Sequence, residues 1–385
     1  MQTIHWLGAG LSSVPGIRRL ANGDLPLFLW NRTVTKAEQA LAGINSAVEI
    51  RSFDVDTLRS TIKAGDIVVS MLPGSWHVVI ARMCIDEAAH FVSSSYISPE
   101  MKALHNDARQ KGLCLVNEVG LDPGIDHLMA HALVNEYKQA PEYDLSNSVS
   151  FRSYCGGFPK IPNDFRYKFS WSPLGVLKAL KTPSRSLKNG EVIEVKRPWH
   201  AISNYVATLP DHRKESFEAY PNRDALPFMQ DYKFETEWQV EEFVRGTLRL
   251  NGWSKAWDEI FKEIEMLDGE HGEQRLQEMS DELWRTQAYD EQEPDRVVLC
   301  VEFEASNNQS IVWHKSYTLD SFGNAHGSAM ARLVSLTVSL AVDAIATGKI
   351  AVGVTAAPSE PEIVTEWFNK LNILGEGIQQ LVLKE

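Results

Sequence analysis

Cysteine is scarce in this chain: Cys84, Cys114, Cys155 and Cys300 are spread over 385 positions with no CxxC pair. That spacing points to neither a zinc site nor a disulfide framework, and it suits a reducing cytoplasm. No metal centre is expected. Basic charge is also short. Against 51 Asp and Glu there are 38 Lys and Arg, a net −13, which argues against nucleic acid or an anionic membrane surface as the main partner. No long apolar run is free of charge. The longest, residues 328–347, contains Arg332, Asp343 and several hydroxyls, and reads as a core or interface helix. A strand pattern begins by Thr3, leaving no room for a signal peptide. Repeats and low-complexity tracts are absent as well.

What is present is an ordinary globular composition in a chain too long for one core. The negative charge is local. Residues 255–295 hold 14 acidic and four basic residues, and read as a solvated helical pair.

Residues 1–117 alternate apolar runs with helical patterns. The runs are 3–7, 26–30, 48–53, 66–72, 89–93 and 113–116, and helices are expected near 14–21, 36–42, 56–62, 76–86 and 99–111. Strict alternation of this kind means a parallel sheet wound by crossover helices. After residue 126 the pattern changes. Strand-like runs at 148–154, 166–171, 191–195, 296–304 and 310–318 come with long loops and scattered helices, and suggest a mostly antiparallel sheet.

Between the first strand and the first helix stands LGAGLSS, residues 7–13, a GxGxxG pattern with Ser13 in the third place. Gly8 permits the tight turn, Gly10 lets backbone N–H groups approach a pyrophosphate, and the helix N-terminus stabilises its charge. Leu11 and Ser12 belong to the same loop, and Ser13 is small enough for close helix packing. At the end of the second strand, where an NAD site places an acid for the ribose hydroxyls, stand Asn31, Arg32 and Thr33. A guanidinium suits a 2′-phosphate. NADP is therefore the expected cofactor, with NAD possible if Arg32 only caps the strand end. Asp54 and Val55 are placed to contact the adenine, and Leu72 to lie beside the pyrophosphate.

The fold class that follows is α/β, with a Rossmann-type doubly wound parallel sheet plus a second α+β domain. The expected division is 1–125 for the dinucleotide domain and 126–350 for a substrate-binding and dimerisation domain carrying the acidic insert at about 255–295. Residues 351–385, with a strand at 378–383, are expected to return to the first domain.

The segment NEVGLDPGIDH, residues 117–127, follows the sixth apolar run. Loops at the carboxyl ends of parallel strands are where such sheets bind ligands. Its carboxylates are candidates for proton transfer or for gripping a substrate amine. The plainer reading is a strand-to-helix turn with Asp126 as helix N-cap. Ser95 and Tyr96 end the fifth run, and Cys155 is followed by two glycines. Arg223 lies in YPNRD, and Thr247, Leu248 and Arg249 in RGTLR. Repeated Arg in an acidic chain suits a small substrate with several carboxylates, although each singly is more often a surface ion pair.

Together these segments resemble the saccharopine reductases, the glutamate-forming saccharopine dehydrogenases. LGAG, SYISPEM, NEVGLDPGIDH, SYCGG, RYKFSWSPLGVL, YPNRDALPF, RGTLR and GSAMARLV carry the resemblance, and residues 255–295 do not match it. LGAG alone is generic, whereas GLDPGIDH, RYKFSWSP and YPNRD in combination are specific. The resemblance implies a homodimer that interconverts saccharopine with glutamate and 2-aminoadipate 6-semialdehyde, using NADP or NAD. It further implies that Gly10, Ser12, Asn31, Arg32, Thr33, Asp54, Val55, Leu72, Ser95, Val119, Gly120 and Leu121 line the cofactor, and that Trp171 reaches it from the second domain. Ser95, Tyr96, Asp122, Arg223, Thr247, Leu248 and Arg249 would hold saccharopine. For the proton transfers of such a reaction Asp122 is favoured, with Tyr96 and Cys155 in support. His127 reads as a packed core residue. The alternatives are an enzyme of the carboxynorspermidine dehydrogenase kind and a dinucleotide-binding relative without turnover.

Overall fold

A computed structural model describes residues 2–44, 47–290 and 293–384; Glu291 and Gln292, within the acidic segment, lie outside the described residues. The alternation at the N-terminus becomes β1 (Ile4–Leu7), α1 (Val14–Ala21), β2 (Leu27–Asn31), α2 (Val34–Ala40), β3 (Glu49–Ser52), α3 (Val55–Thr61), β4 (Ile67–Ser70), α4 (His77–Asp86), β5 (His90–Val92), α5 (Pro99–Lys102), α6 (His105–Gln110) and β6 (Cys114–Val116). β1 and β4 are buried along their whole length, as expected of strands covered on both faces.

After α7 (Ile125–Gln139) the second sheet is assembled. It comprises β7 (Ser148–Pro159), then α8 (Pro173–Lys181), β8 (Ser184–Lys188), β9 (Glu191–Val195), β10 (Ser203–Thr208), β11 (Lys214–Pro221), α9 (Phe228–Asp231) and β12 (Gln239–Arg249). The acidic segment supplies α10 (Trp253–Ala256), α11 (Asp258–Met266) and α12 (Gly269–Gln287). These helices are amphipathic. Trp253, Trp257, Phe261, Ile264, Leu276 and Met279 form a core with Tyr167, Phe169 and Tyr220, while the acidic side chains face water or pair with Lys262 and Arg275. Then come β13 (Asp295–Asn307), β14 (Ser310–Phe322), α13 (Ala329–Ala346), β15 (Gly353–Thr355), α14 (Pro361–Ile373) and β16 (Gln379–Val382).

The first sheet is parallel throughout, in the order β15-β6-β5-β4-β1-β2-β3. Its order reverses at β1, which pairs with both β2 and β4, and that reversal is where such sheets bind nucleotides. The second sheet runs β10-β11-β12-β7-β13-β14-β16, with β8 paired to β12 and β9 to β8. β7 and β12 are parallel and the other pairs antiparallel.

Contacts divide the chain into one unit of residues 1–128 and 325–371 and another of 129–324 and 372–385. This differs from the expected division in two places. Helix α13 joins the first unit, because Gly16 in α1 leaves no room for a side chain: a Cβ there would stand 2.3 Å from Ser335 O. The Gly16 N–H donates to Ser335 Oγ at 2.8 Å. Helix α13 has the length and hydropathy of a membrane span, but most of it is buried, so its apolar surface is core. The strand expected at 378–383 pairs with β14 in the second sheet. The segment that returns to the first sheet is β15, on β6. Residues 166–171 form no strand. Arg166 has φ +58°, and Asn163 holds the Tyr167 N–H and C=O at 3.1 Å each. The alternation there is that of a loop anchored by Tyr167 and Phe169.

Candidate active site

The glycine loop turns at Gly8, where φ is +99° and a Cβ would meet Met71 O at 2.9 Å. Only glycine fits. At Gly10 a Cβ would meet nothing within 4 Å, so the loop faces open space on that side, as a cradle for a pyrophosphate requires. Asn31 Oδ1 accepts from Ala9 N–H at 3.0 Å, and its Nδ2 donates to Thr33 O at 2.7 Å. Asn31 therefore ties the glycine loop to the end of β2. Arg32 and Thr33 beside it are exposed, and among the described residues Arg32 has no ion-pair or hydrogen-bond partner. A free guanidinium with no competing carboxylate is what a 2′-phosphate needs. Leu11 is 54% exposed. Ser13 is buried and makes no side-chain cap. A further close approach falls at Gly16.

Asp54 caps α3, accepting from Thr57 N and Oγ1 at 2.8 and 2.7 Å. The Thr57 backbone N–H holds its carboxyl below the usual range. Val55 and Leu72 pack against the core of this unit.

Segment 117–127 forms a closed turn. Gly124 has φ +147°, and a Cβ there would stand 2.1 Å from Gly120 O. Its N–H donates to Asp126 Oδ1 at 2.7 Å. Asp126 is fully buried and lies inside α7, so it locks the turn and is not an N-cap. Val119, Gly120 and Leu121 are buried, and Asp122 stands partly exposed at the turn. The Tyr96 hydroxyl donates to Asp122 Oδ1 at 3.1 Å.

Two residues that sequence alone does not single out, Glu118 and His77, hold the chain around Tyr96. Glu118 has φ +55°. Its N–H donates to Ser95 O at 3.1 Å, and its Oε1 accepts from Ile97 N–H at 2.8 Å. Tyr96 is thus gripped on both flanks. His127, a buried residue as expected, donates from Nε2 to Glu118 Oε2 at 2.8 Å. His77 lies 2.8 Å from Ser95 Oγ through Nε2 and 2.9 Å from Ser70 Oγ through Nδ1. The only sequence signal for either was position: three acids in one turn, and a His beside the Gly74 turn.

In the second unit, strand register brings the other candidates into one row. Tyr220 pairs with Thr247, and Thr247 with Cys155. Cys155 is buried and in no disulfide. Leu248 is fully buried in the sheet core, and its backbone O would meet a Cβ on Gly156 at 2.5 Å. Arg249 is only 7% exposed. Its guanidinium carbon lies 4.9, 5.2 and 5.5 Å from the rings of Tyr167, Trp253 and Tyr220. Nη1 donates to Leu248 O at 3.1 Å, and Nε has no hydrogen-bond partner among the described residues. Burial raises the Tyr167 and Tyr220 hydroxyls above the usual tyrosine range, so the box around Arg249 is neutral. Arg223 is exposed, with φ +59°. Trp171 is 38% exposed, and a Cβ on Gly175 would meet its ring at 2.5 Å.

The first unit is a dinucleotide-binding domain by topology and loop geometry. Residues 4–116 match the saccharopine dehydrogenase NADP binding domain, and residues 120–376 the saccharopine dehydrogenase C-terminal domain; the chain belongs to the saccharopine dehydrogenase family. It is 34% identical over 259 residues to saccharopine dehydrogenase [NADP(+), L-glutamate-forming] of Pyricularia oryzae, a match covering 66% of this chain and 55% of that protein. It is 35% identical over 263 residues to the mitochondrial alpha-aminoadipic semialdehyde synthase of Rattus norvegicus, covering 66% of this chain and 27% of that protein. The chain thus matches about half the length of the fungal relative and about a quarter of the rat one. In structure it is similar to apo saccharopine dehydrogenase (L-Glu forming) from Saccharomyces cerevisiae, with TM-score 0.81, 24% identity and full coverage of both chains. A homospermidine synthase from Legionella pneumophila follows at TM-score 0.67 and 10% identity, covering 100% of this chain and 92% of that one. Both likenesses concern the fold.

Proposed function

We propose that the chain is an NADP-dependent oxidoreductase of lysine metabolism that interconverts saccharopine with L-glutamate and 2-aminoadipate 6-semialdehyde. The observation that carries this reading is the Tyr96–Asp122 hydrogen bond at the carboxyl edge of a parallel sheet, in a chain of the saccharopine dehydrogenase family. The open loop at Gly10 and the exposed Arg32 fit NADP. NADP, when bound, supplies the hydride acceptor.

Saccharopine is a secondary amine with three carboxylates and an α-ammonium group. Its bridging nitrogen must lose a proton before hydride leaves the neighbouring carbon. The resulting imine must then be attacked by a deprotonated water, which gives the semialdehyde and the amine of glutamate. Asp122 is the proton relay or ammonium anchor, and Tyr96 passes or holds a proton through its hydroxyl. Cys155 is assigned a supporting role. Ser95, Arg223, Thr247, Leu248 and Arg249 are the substrate-holding residues, with the two arginines on carboxylates. Gly8, Gly10, Leu11, Ser12, Ser13, Asn31, Arg32, Thr33, Asp54, Val55, Leu72, Val119, Gly120, Leu121 and Trp171, together with Ser95 again, are the cofactor-lining ones. Asn31 and Asp54 do this by shaping the loops they tie and cap. A cytoplasmic homodimer completes the reading, supported by the wide spacing of the four cysteines and by the family.

The test is a cofactor assay with purified protein. NADP reduction with saccharopine, and NADPH oxidation with glutamate plus the semialdehyde, are both expected. Turnover of neither, with NADPH still bound, would remove the reading.

A further inference from the structure

Three side chains form a string towards the ligand edge of the parallel sheet: Ser70 at the end of β4, His77 at the start of α4, and Ser95 beyond β5. We propose that His77 is a positioning residue that makes Ser95 a hydrogen-bond donor toward an acceptor oxygen of the bound ligand. That oxygen belongs to the nicotinamide carboxamide or to a substrate carboxylate. This rests on the assignment of Ser95 to the ligand-binding edge.

The argument is one of hydrogen accounting. His77 is 6% exposed, and burial pushes its pKa down to about 4. The ring is therefore neutral at working pH, with one N–H and one lone pair. Ser70 is fully buried, and its hydroxyl makes one side-chain hydrogen bond, to His77 Nδ1 at 2.9 Å. Were Nδ1 the protonated nitrogen, the Ser70 hydrogen would be left buried without an acceptor, which is the costly arrangement. Ser70 therefore donates to Nδ1, and the ring proton sits on Nε2. Nε2 in turn donates to Ser95 Oγ at 2.8 Å. Ser95 is partly exposed, and its own hydrogen is left for the ligand. The opposite tautomer would take that hydrogen and turn only lone pairs outward, which suits an ammonium group. The tautomer of a residue one step removed thus decides whether Ser95 recognises oxygen or nitrogen.

Nitrogen-15 shifts of histidine-labelled protein read the tautomer without any ligand: His77 is expected protonated at Nε2 and bare at Nδ1. Binding and kinetics read the consequence through two isosteres, since an Asn amide occupies the place of Nδ1 and a Gln amide that of Nε2. Ser95→Ala and His77→Asn should each weaken ligand binding about three- to tenfold, the range for one hydrogen bond. His77→Gln should retain most of the affinity and lose more thermal stability, because Ser70 is orphaned. In the Asn/Ala double variant the loss should be no larger than in Ser95→Ala alone. A change in the NADPH dissociation constant places the acceptor on the cofactor, and a change confined to the saccharopine Michaelis constant places it on the substrate. An Nδ1-protonated ring, additive losses in the double variant, or no change in either constant would overturn the proposal. The spectroscopic arm and the NADPH arm still decide if saccharopine proves not to be the substrate.

Discussion

Tyr96 and Asp122, 26 residues apart, meet at 3.1 Å because Glu118 grips the backbone on both flanks of Tyr96 while Gly124 and Asp126 close the turn that carries Asp122. Of the three acids in one eleven-residue segment, two hold backbone N–H groups and one is partnered by a phenol. That division of labour separates the expected effects of conservative substitutions. Asp122→Asn keeps the shape and removes the charge. Folding and NADPH binding should survive, and turnover should fall by about 10²–10⁴, the range for a lost proton-transfer group. Asp126→Asn retains an oxygen for the Gly124 N–H and should act mainly on stability. Steady-state kinetics and thermal melts of the two variants check this. Near-normal turnover in Asp122→Asn would make the segment a structural turn only.

Arg32 stands exposed at the end of β2, with no partner among the described residues. A charge-assisted pair with a 2′-phosphate is worth roughly 1.5–3 kcal/mol, or about ten- to a hundredfold in affinity. Arg32→Ala should therefore abolish most of the preference for NADPH while leaving NADH binding nearly unchanged. Fluorescence titration with both dinucleotides measures it. Equal affinities in the unmutated protein would end the argument.

The first sheet was legible because its strands are local, buried and separated by helices, and all six expected runs became strands. β15 was missed because three residues on an edge carry no period. The second sheet was half legible. β12 was hidden because Glu241, Glu242 and Arg245 break its apolar alternation, and β10 because it is mostly exposed. β12 is fixed by β7, far along the chain, whereas β10 is an edge strand held by β11, the strand that follows it. In the site, residue types with an obvious chemistry, such as Tyr96 and Asp122, could be picked out from their loops. Glu118 and His77 could not, because their roles depend on which backbone or hydroxyl the fold brings beside them.

Gly16 gives a test of packing whose sign is opposite to propensity. Gly to Ala in a helix interior ordinarily stabilises by up to about 1 kcal/mol. Here the new methyl would meet Ser335 O at 2.3 Å. Gly16→Ala should instead destabilise by about 1–3 kcal/mol, the usual range for overpacking, by forcing α1 from α13. Chemical denaturation checks the sign, and a stabilised variant would show that the two helices can yield.

Arg223 and Arg249 should fail in different ways. Arg223 is exposed, so Arg223→Ala should leave the fold intact and raise the Michaelis constant for saccharopine. The expected loss is about 2–4 kcal/mol if a desolvated carboxylate loses its partner. The NADPH dissociation constant should stay as it was. Arg249 is buried among three rings, so its truncation removes packing as well as charge. Arg249→Lys, whose compact ammonium cannot stack as a guanidinium does, should lower the melting temperature along with substrate affinity. An Arg223→Ala enzyme with an unchanged Michaelis constant would remove that residue from the substrate assignment.

His77 makes the fold sensitive to acid. Burial lowers its pKa from 6.5 to about 4, so the unfolded chain binds this proton more readily than the folded one. The stability linked to keeping the ring neutral is complete above pH 6.5. It is lost progressively as the pH falls from there through 4, where the folded ring is forced to charge. A difference of this size corresponds to about 3 kcal/mol across the window. His5 and His90 are also lowered by burial, but they are common to wild type and variant and cancel in the comparison. Urea unfolding at pH 7 and pH 4 should thus show the wild type losing about 3 kcal/mol more than His77→Asn, which has no proton to bind. Parallel losses in the two proteins would mean that the ring is hydrated, and with it the neutral Ser70–His77–Ser95 string would fall.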